Sequence, residues 1–111
     1  MAIPRIRIDT KAGISVKGKI KRDLMIENLC KKTAETLGIK GPCCIQLKES
    51  EKGELKIIEI NPRFGGGTIF TTLAGANFPA MLLEMASNNN NLIIPTVSEI
   101  TVLRYFEEIV I

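Results

Sequence analysis

Glu59 and Asn61 carry side-chain oxygens two positions apart, and behind them come Pro62, Arg63, Gly65, Gly66, Gly67 and Thr68. On an extended strand, residues two apart project to the same side, so a carboxylate and an amide oxygen converge on one face. A hard divalent cation such as Mg²⁺ takes ligands of this kind, with waters and substrate phosphates filling the rest of its octahedron. Pro62 ends the strand because it has no N–H for the ladder. Arg63 then leaves in a set direction, where a guanidinium can grip phosphate through two parallel hydrogen bonds. The glycines let backbone N–H groups approach an anion, and Thr68 at a helix start adds a donor. Each feature alone has a plain structural reading: a solvated strand face, a surface cation, a flexible connector. Together they point to a site for phosphate and metal.

The elements that must position these groups follow from hydrophobic period. Cys43–Lys48 and Glu54–Ile60 read as two strands around the turn Glu51-Lys52-Gly53-Glu54. With Lys52 and Gly53 as the central residues, Gln46 lies directly across from Glu59 and offers a third oxygen, and a bulge would shift that pairing by one. Alternation sends Ile57, Glu59 and Asn61 to one face and Ile58 and Ile60 to the other, toward a core. Upstream, Pro4–Asp9 alternates with Ile6 and Ile8 on the apolar side and Arg5, Arg7 and Asp9 on the wet side. After the turn Lys11-Ala12-Gly13, Ile14–Ile20 alternates again, so the two runs form an antiparallel hairpin.

From Asp23 the period becomes helical. Ile26, Leu29, Cys30, Thr33, Ala34 and Leu37 share a face, with Asp23 as N-cap, Gly38 just past the end, and Lys31, Lys32 and Glu35 on the wet side. Thr68 caps a second helical stretch carrying Phe70, Leu73 and Ala74, then Met81, Leu82 and Met85. Asn77-Phe78-Pro79 breaks it in two, since proline fits only a first turn. Asn88–Asn91 is a polar loop, Leu92–Pro95 an extended connection, and Ile100–Ile111 a β-rich end. The order ββαββα(α)β predicts a single α+β domain, an antiparallel sheet with helices packed on one face.

Composition narrows the function classes. The chain has 111 residues, 45% of them hydrophobic and 24% charged, an ordinary globular balance. No apolar run approaches the roughly 18 residues of a membrane span, and Met1–Asp9 lacks the apolar stretch of a secretory leader. The net charge is +3, and the five aromatics (four Phe, one Tyr) do not interleave with the basic residues, so neither a membrane nor nucleic acid is an expected partner. There is no histidine, which removes Ser-His-Asp and Cys-His catalysis and any His-bound metal. Cys30, Cys43 and Cys44 are odd in number, with two adjacent; reduced thiols in a cytoplasm are the expectation.

The run Glu59-Ile60-Asn61-Pro62-Arg63-Phe64-Gly65-Gly66-Gly67-Thr68, with Cys44-Ile45-Gln46-Leu47 upstream, resembles the C-terminal lobe of the ATP-grasp superfamily, nearest the carbamoyl-phosphate synthase large-subunit-like branch. Pro4-Arg5, Ala12-Gly13, Val16-Lys17-Gly18, Leu37-Gly38, Gly41-Pro42 and Ala74-Gly75-Ala76-Asn77-Phe78-Pro79 occur in the order of that branch, so the likeness covers most of the chain. It implies that Gln46, Glu59 and Asn61 hold Mg²⁺ (or Mn²⁺) against the triphosphate of ATP. Arg63 would be the catalytic residue at the transferring phosphoryl group, with Gly65, Gly66, Gly67 and Thr68 at the phosphates and Arg5 and Lys17 lining the site. The implied activity is ATP-dependent joining of a carboxylate to an amine through an acyl phosphate. A complete ATP-grasp unit has a second, N-terminal lobe that grips ATP from the other side, and it is not among these residues. The chain is therefore expected to be one jaw of a larger ligase, inactive alone and prone to self-association. The alternative is a non-catalytic anion- or nucleotide-binding or assembly module.

Overall fold

The computed structural model describes residues 1–87 and 93–111. Its elements are β1 Arg5–Lys11, β2 Ile14–Ile20, α1 Leu24–Thr36, β3 Cys44–Glu49, β4 Leu55–Asn61, α2 Thr68–Leu73, α3 Phe78–Ala86 and β5 Thr101–Leu103. This is the expected α+β fold in the expected order. Its antiparallel strands form two sheets, β1-β2-β5 and β3-β4. The polar loop at Asn88–Asn91 and the start of the extended connection at Leu92 lie outside the described residues.

Ala12 and Gly13 turn the first hairpin with φ of 49° and 78°, the paired positive values of the tight mirror-image turn that matches strand twist. Arg5 pairs with Ile20 and Arg7 with Gly18, so these four share one face. That face is the inner one. The ring of Phe70 on α2 lies on it, so close that a Cβ at Gly18 would stand 2.8 Å from Phe70 Cε2. Ile20, Phe70 and Ala74 form the buried cluster, with Ile3, Val97, Ile100 and Val102 packed around it. The expectation for β1 is thereby reversed: Ile6 and Ile8 are about half exposed, while Arg5 and Arg7 share the face of Gly18 and Ile20, Arg5 half-buried there and Arg7 exposed toward the strand's far end. Hydrophobicity favours isoleucine inside, but the aromatic face of Phe70 takes the Arg5 and Arg104 guanidiniums by cation–π contact, with centroid distances of 5.8 and 5.2 Å.

Helix α1 starts and stops as its sequence dictates. Asp23 accepts from the N–H groups of Met25 and Ile26, and Gly38, at φ 65°, closes the C-terminus with Gly38 N–H to Glu35 O and Ile39 N–H to Ala34 O. Ile26, Leu29, Cys30, Thr33 and Ala34 form the half-buried stripe, but Leu37 is exposed. The most buried residue of the helix is a carboxylate, Glu27. Arg22 holds it in a two-pronged pair, Nε to Oε1 at 2.5 Å and Nη2 to Oε2 at 2.7 Å, while the Arg22 N–H reaches Glu99 Oε1. One arginine thus ties the end of β2 to α1 and to the segment before β5.

In the second hairpin the three residues Glu51-Lys52-Gly53 make the turn, with Ser50 N–H bonded to Glu54 O. This replaces the expected two-residue turn, and a bulge between Gln46 and Leu47 on the pairing restores Gln46 opposite Glu59. Two departures cancel, and the predicted pair stands. Ile58 is exposed, contrary to its expected place in a core, and is the residue left unpaired at the bulge between Gln46 and Leu47. Pro79 sits in the first turn of α3, as expected, and Asn77 caps that helix; α2 is capped by Gly67, with Thr68 as its first helical residue instead of the cap. Phe70 and Ala74 of α2 are buried, but Leu73 is exposed. Only Thr101–Leu103 of the β-rich end pairs as strand; Tyr105, Phe106, Ile109, Val110 and Ile111 have no sheet partner and stand exposed. No helix among the described residues is long and apolar enough to cross a membrane.

The accessible surface is 8327 Å², whereas a compact monomer of 12.2 kDa shows about 6,100 Å². The radius of gyration, 15.2 Å, likewise exceeds the roughly 13 Å expected for this length. Many Leu, Ile and Met side chains stand exposed on it, so the 111-residue chain should self-associate. Sedimentation at rising concentration will show a growing weight-average mass; a strict monomer throughout would refute this.

The Arg22 hydrogen bonds hold the Glu27 carboxyl below its ordinary pKa. A depressed carboxylate adds stability that is complete above its unfolded-state pKa and is lost as pH falls through the lower folded value. Glu27→Gln should therefore cost about 1–3 kcal/mol at neutral pH and progressively less below about pH 4. Urea unfolding at both pH values tests this; an equal loss at both would contradict it.

Candidate functional site

Cross-strand pairing puts Gln46 beside Glu59 and Cys44 beside Asn61. Gln46 Nε2 donates to Glu59 Oε2 at 2.5 Å, so the two side chains meet in the predicted place. Past Asn61 the chain folds over Pro62 in a three-residue turn, Arg63 N–H to Asn61 O at 2.8 Å. That turn brings the Arg63 guanidinium back: Nη2 lies 3.5 Å from Asn61 Oδ1 and Nη1 donates to Phe64 O at 3.0 Å. Gln46, Glu59, Asn61 and Arg63 are brought together.

The glycines are used for close packing. A Cβ on Gly65 would stand 2.9 Å from Cys44 Sγ, and one on Gly67 would overlap the Arg5 guanidinium. The loop is pinned between the two hairpins by β3 on one side and β1 on the other, which answers the reading of a loose connector. Gly66 is open, and its carbonyl accepts from Arg104 Nη2 at 3.1 Å. Among the described residues the N–H groups of Gly65, Gly66 and Gly67 donate to no backbone acceptor. The Thr68 hydroxyl, expected to serve an anion as donor, instead donates to Gly65 O at 2.7 Å and stiffens the loop.

Arg5 and Lys17 separate. Arg5 lies under the glycine loop with its Nε buried and unpartnered. Burial lowers the pKa of its guanidinium, Cys44 opposes that, and Arg7 and Arg104 push further down; a guanidinium stays charged regardless. Lys17, adjacent to Gly18 on β2, points to the opposite side of the sheet by strand alternation and pairs across to Asp9 and Leu103. The structure does not bring it to the other residues. Two arginines that do reach the site were not anticipated there. Arg7 Nη2 donates to Gln46 Oε1 at 3.3 Å, and Arg104 sits on Phe70 and Gly66. The spacing Arg5-x-Arg7 already implied a shared face; the assignment of that face to solvent hid it. Nothing in the sequence around Arg104 pointed to the site.

Glu59, Asn61 and Gln46 supply hard oxygens of the kind Mg²⁺ prefers, with one formal charge among them. Glu59 and Asn61, each paired with a residue of β3 on the same face, present such oxygens together. Gln46 fits once its amide oxygen turns from Arg7 toward Glu59. No group of three or more His, Cys, Asp or Glu side chains gathers among the described residues to rival this set. Cys30, Cys43 and Cys44 are free thiols, and burial raises the pKa of Cys30 and Cys43.

A strand hairpin with oxygen donors, a proline-arginine exit and a pinned glycine loop are the features on which the likeness to the ATP-grasp superfamily rests, and its domains are in general ATP-dependent ligases. Residues 1–109 match the family described as ATP-grasp in the biosynthetic pathway with Ter operon, and the chain belongs to that family. No curated protein matches the chain.

Because Gly67 leaves room for no side chain beside Arg5, Gly67→Ala should displace the guanidinium and cost about 1–3 kcal/mol. The open position offers a control: Gly66→Ala should cost much less. Thermal unfolding of both variants checks the order, and equal losses would show that the contact with Arg5 is not what selects glycine.

Proposed function

We propose that this chain supplies the metal- and phosphoryl-binding face of an ATP-dependent carboxylate–amine ligase, with chemistry like that of the carbamoyl-phosphate synthase branch. The observation that carries the reading is the meeting of Glu59, Gln46, Asn61 and Arg63 at one end of a hairpin, in a chain of the ATP-grasp family. Glu59, Asn61 and Gln46 would hold Mg²⁺ (or Mn²⁺), which supplies neutralisation of phosphate charge when bound. Arg63, as the catalytic residue, presents a planar fork to the γ-phosphoryl group and stabilises the charge that spreads over its oxygens during transfer. The N–H groups of Gly65–Gly67, which donate to no backbone acceptor among the described residues, would face the same anion from the loop side.

A carboxylate oxygen of the acceptor attacks the γ-phosphorus while the bond to the β–γ bridging oxygen breaks and ADP leaves. The acyl phosphate then accepts an amine at its carbonyl carbon, phosphate departs with the C–O electron pair, and the amine proton is released. No protein nucleophile is required, which suits a site built on arginines and amides without histidine. The remaining contacts to the nucleotide would come from an opposing ATP-grasp lobe, and that lobe would cover the apolar faces described above. Free thiols suit a reducing cytoplasm.

Calorimetric titration with Mg-ATP tests the reading. The 111-residue chain should bind weakly, with Glu59→Gln removing the heat and Asn61→Ala reducing it. In an enzyme assembled from both lobes, Glu59→Gln and Arg63→Lys should each lower turnover by about 10²–10³, the scale of one preorganised electrostatic contact. Lysine fails because a point charge cannot replace a planar fork. Folded variants that titrate and turn over like the parent would leave the anion-binding or assembly alternative in its place.

A further inference from the structure

Arg7 and Arg104 are not needed for the metal or for the γ-phosphoryl group, yet they converge with Arg5 on one side of the glycine loop. Arg5 and Arg7 share the inner face of β1. Arg104 follows β5, where its N–H bonds to Val16 O at 2.7 Å, and its guanidinium and that of Arg5 both lie against the Phe70 ring. Neither Arg5, Arg7 nor Arg104 pairs with a carboxylate among the described residues, where the ion pairs are Arg22–Glu27 and Lys56–Glu54. Three like charges, one with a buried and unpartnered Nε, repel each other, and the face of Phe70 offsets only part of that cost. Guanidiniums held in this way, with donors still unused, match an oxyanion.

A triphosphate already has its partners at Arg63 and the oxygen donors of β3 and β4. We propose that Arg5, Arg7 and Arg104 form a second anion pole that grips an acid group of the acceptor, so that the acceptor carries an oxyanion besides the carboxylate to be activated. The ligase reading above supplies the premise that a carboxylate is the activated group; the pole itself is set by the arginines. Arg7 places the two poles side by side, because its Nη2 also reaches Gln46 at the metal donors. The substrate class is then a short di-acid, either a dicarboxylate or a carboxylate bearing a phosphate ester.

The experiment uses the 111-residue chain without metal or nucleotide, so its outcome is separate from that of the Mg-ATP titration. Succinate, phosphoglycolate and acetate are titrated while the side-chain Nε–H signals of the arginines are followed by NMR. Succinate or phosphoglycolate should shift the Arg5 signal saturably, and the tighter of the two identifies the second acid group. Acetate should bind much more weakly. Arg104→Gln should weaken the di-acid about tenfold or more, as expected for losing a charged hydrogen-bond donor. Arg7→Gln, at an exposed position, carries the same expectation should the first variant unfold. Adding Mg²⁺ and pyrophosphate should leave the di-acid bound. Equal binding of acetate, unchanged affinity in folded variants, or displacement by pyrophosphate would each overturn the proposal, the last by handing the pole to the nucleotide.

Discussion

The contact on which the rest depends is the ring of Phe70 seated on Gly18. With no side chain at Gly18, the ring lies almost on the backbone of β2, within 2.8 Å of where a Cβ would be. That closeness fixes α2 against the three-stranded sheet and gives the small core its largest member. It also sets the site, because α2 is the exit of the glycine loop and the ring is what the Arg5 and Arg104 guanidiniums rest on. A larger residue at position 18 would lift the helix, and the loop and both arginines would move with it. Packing and site are the same contact seen from two sides.

The β3–β4 hairpin is attached more lightly. It joins the rest where Cys44 meets Gly65 and where Arg7 reaches Gln46, and its outer residues Ile57 and Ile58 are exposed. The oxygen donors thus ride on an element with few buried apolar contacts, the condition under which local opening is cheap. The glycine loop, by contrast, is pinned from both sides. For the site as proposed, which would have to admit a large polyanion, one firm wall and one that yields is a fitting arrangement.

Much of the fold was legible in the sequence, and what misled has physical reasons. Element order, the Asp23 cap, the Gly38 stop and the break at Asn77-Phe78-Pro79 are local features, written in residues close together along the chain. The pairing of Gln46 with Glu59 was legible too, although a longer turn and a bulge had to cancel to produce it. The inner face of β1 was not. Alternation separates Ile6 and Ile8 from Arg5 and Arg7 correctly, but which set turns inward is decided by Phe70, far along the chain, and cation–π contact overrode the hydrophobic default. Ile58, Leu37 and the C-terminal Tyr105-Phe106 look like core residues and stand exposed, Phe106 meeting the Lys11 ammonium, because apolar pattern reports a need for burial and does not guarantee that this chain meets it. Lys17 came from resemblance alone, and the sheet turns it away. Arg104 had no local signal at all.

Charge explains why the donor set contains amides. Arg5, Arg7, Arg63 and Arg104 surround a region whose acid is Glu59, so without a ligand the site is cationic. A polyanion entering it gains from every guanidinium, the more so as water leaves and the effective dielectric falls. Were Gln46 and Asn61 replaced by carboxylates, the metal would be held more tightly in the absence of nucleotide, but two further negative charges would repel the incoming phosphates. In the proposed reading, neutral oxygens would leave the ion's charge available to the phosphates, and metal and nucleotide would bind as partners. The same arithmetic bears on Arg7, whose Nη2 donates to the Gln46 amide oxygen while the Gln46 Nε2 donates to Glu59; in the proposed reading an arriving oxyanion would compete for that guanidinium. In this way the positive excess and the sparing use of carboxylates are a single design, a site that is complete only with its substrates in place.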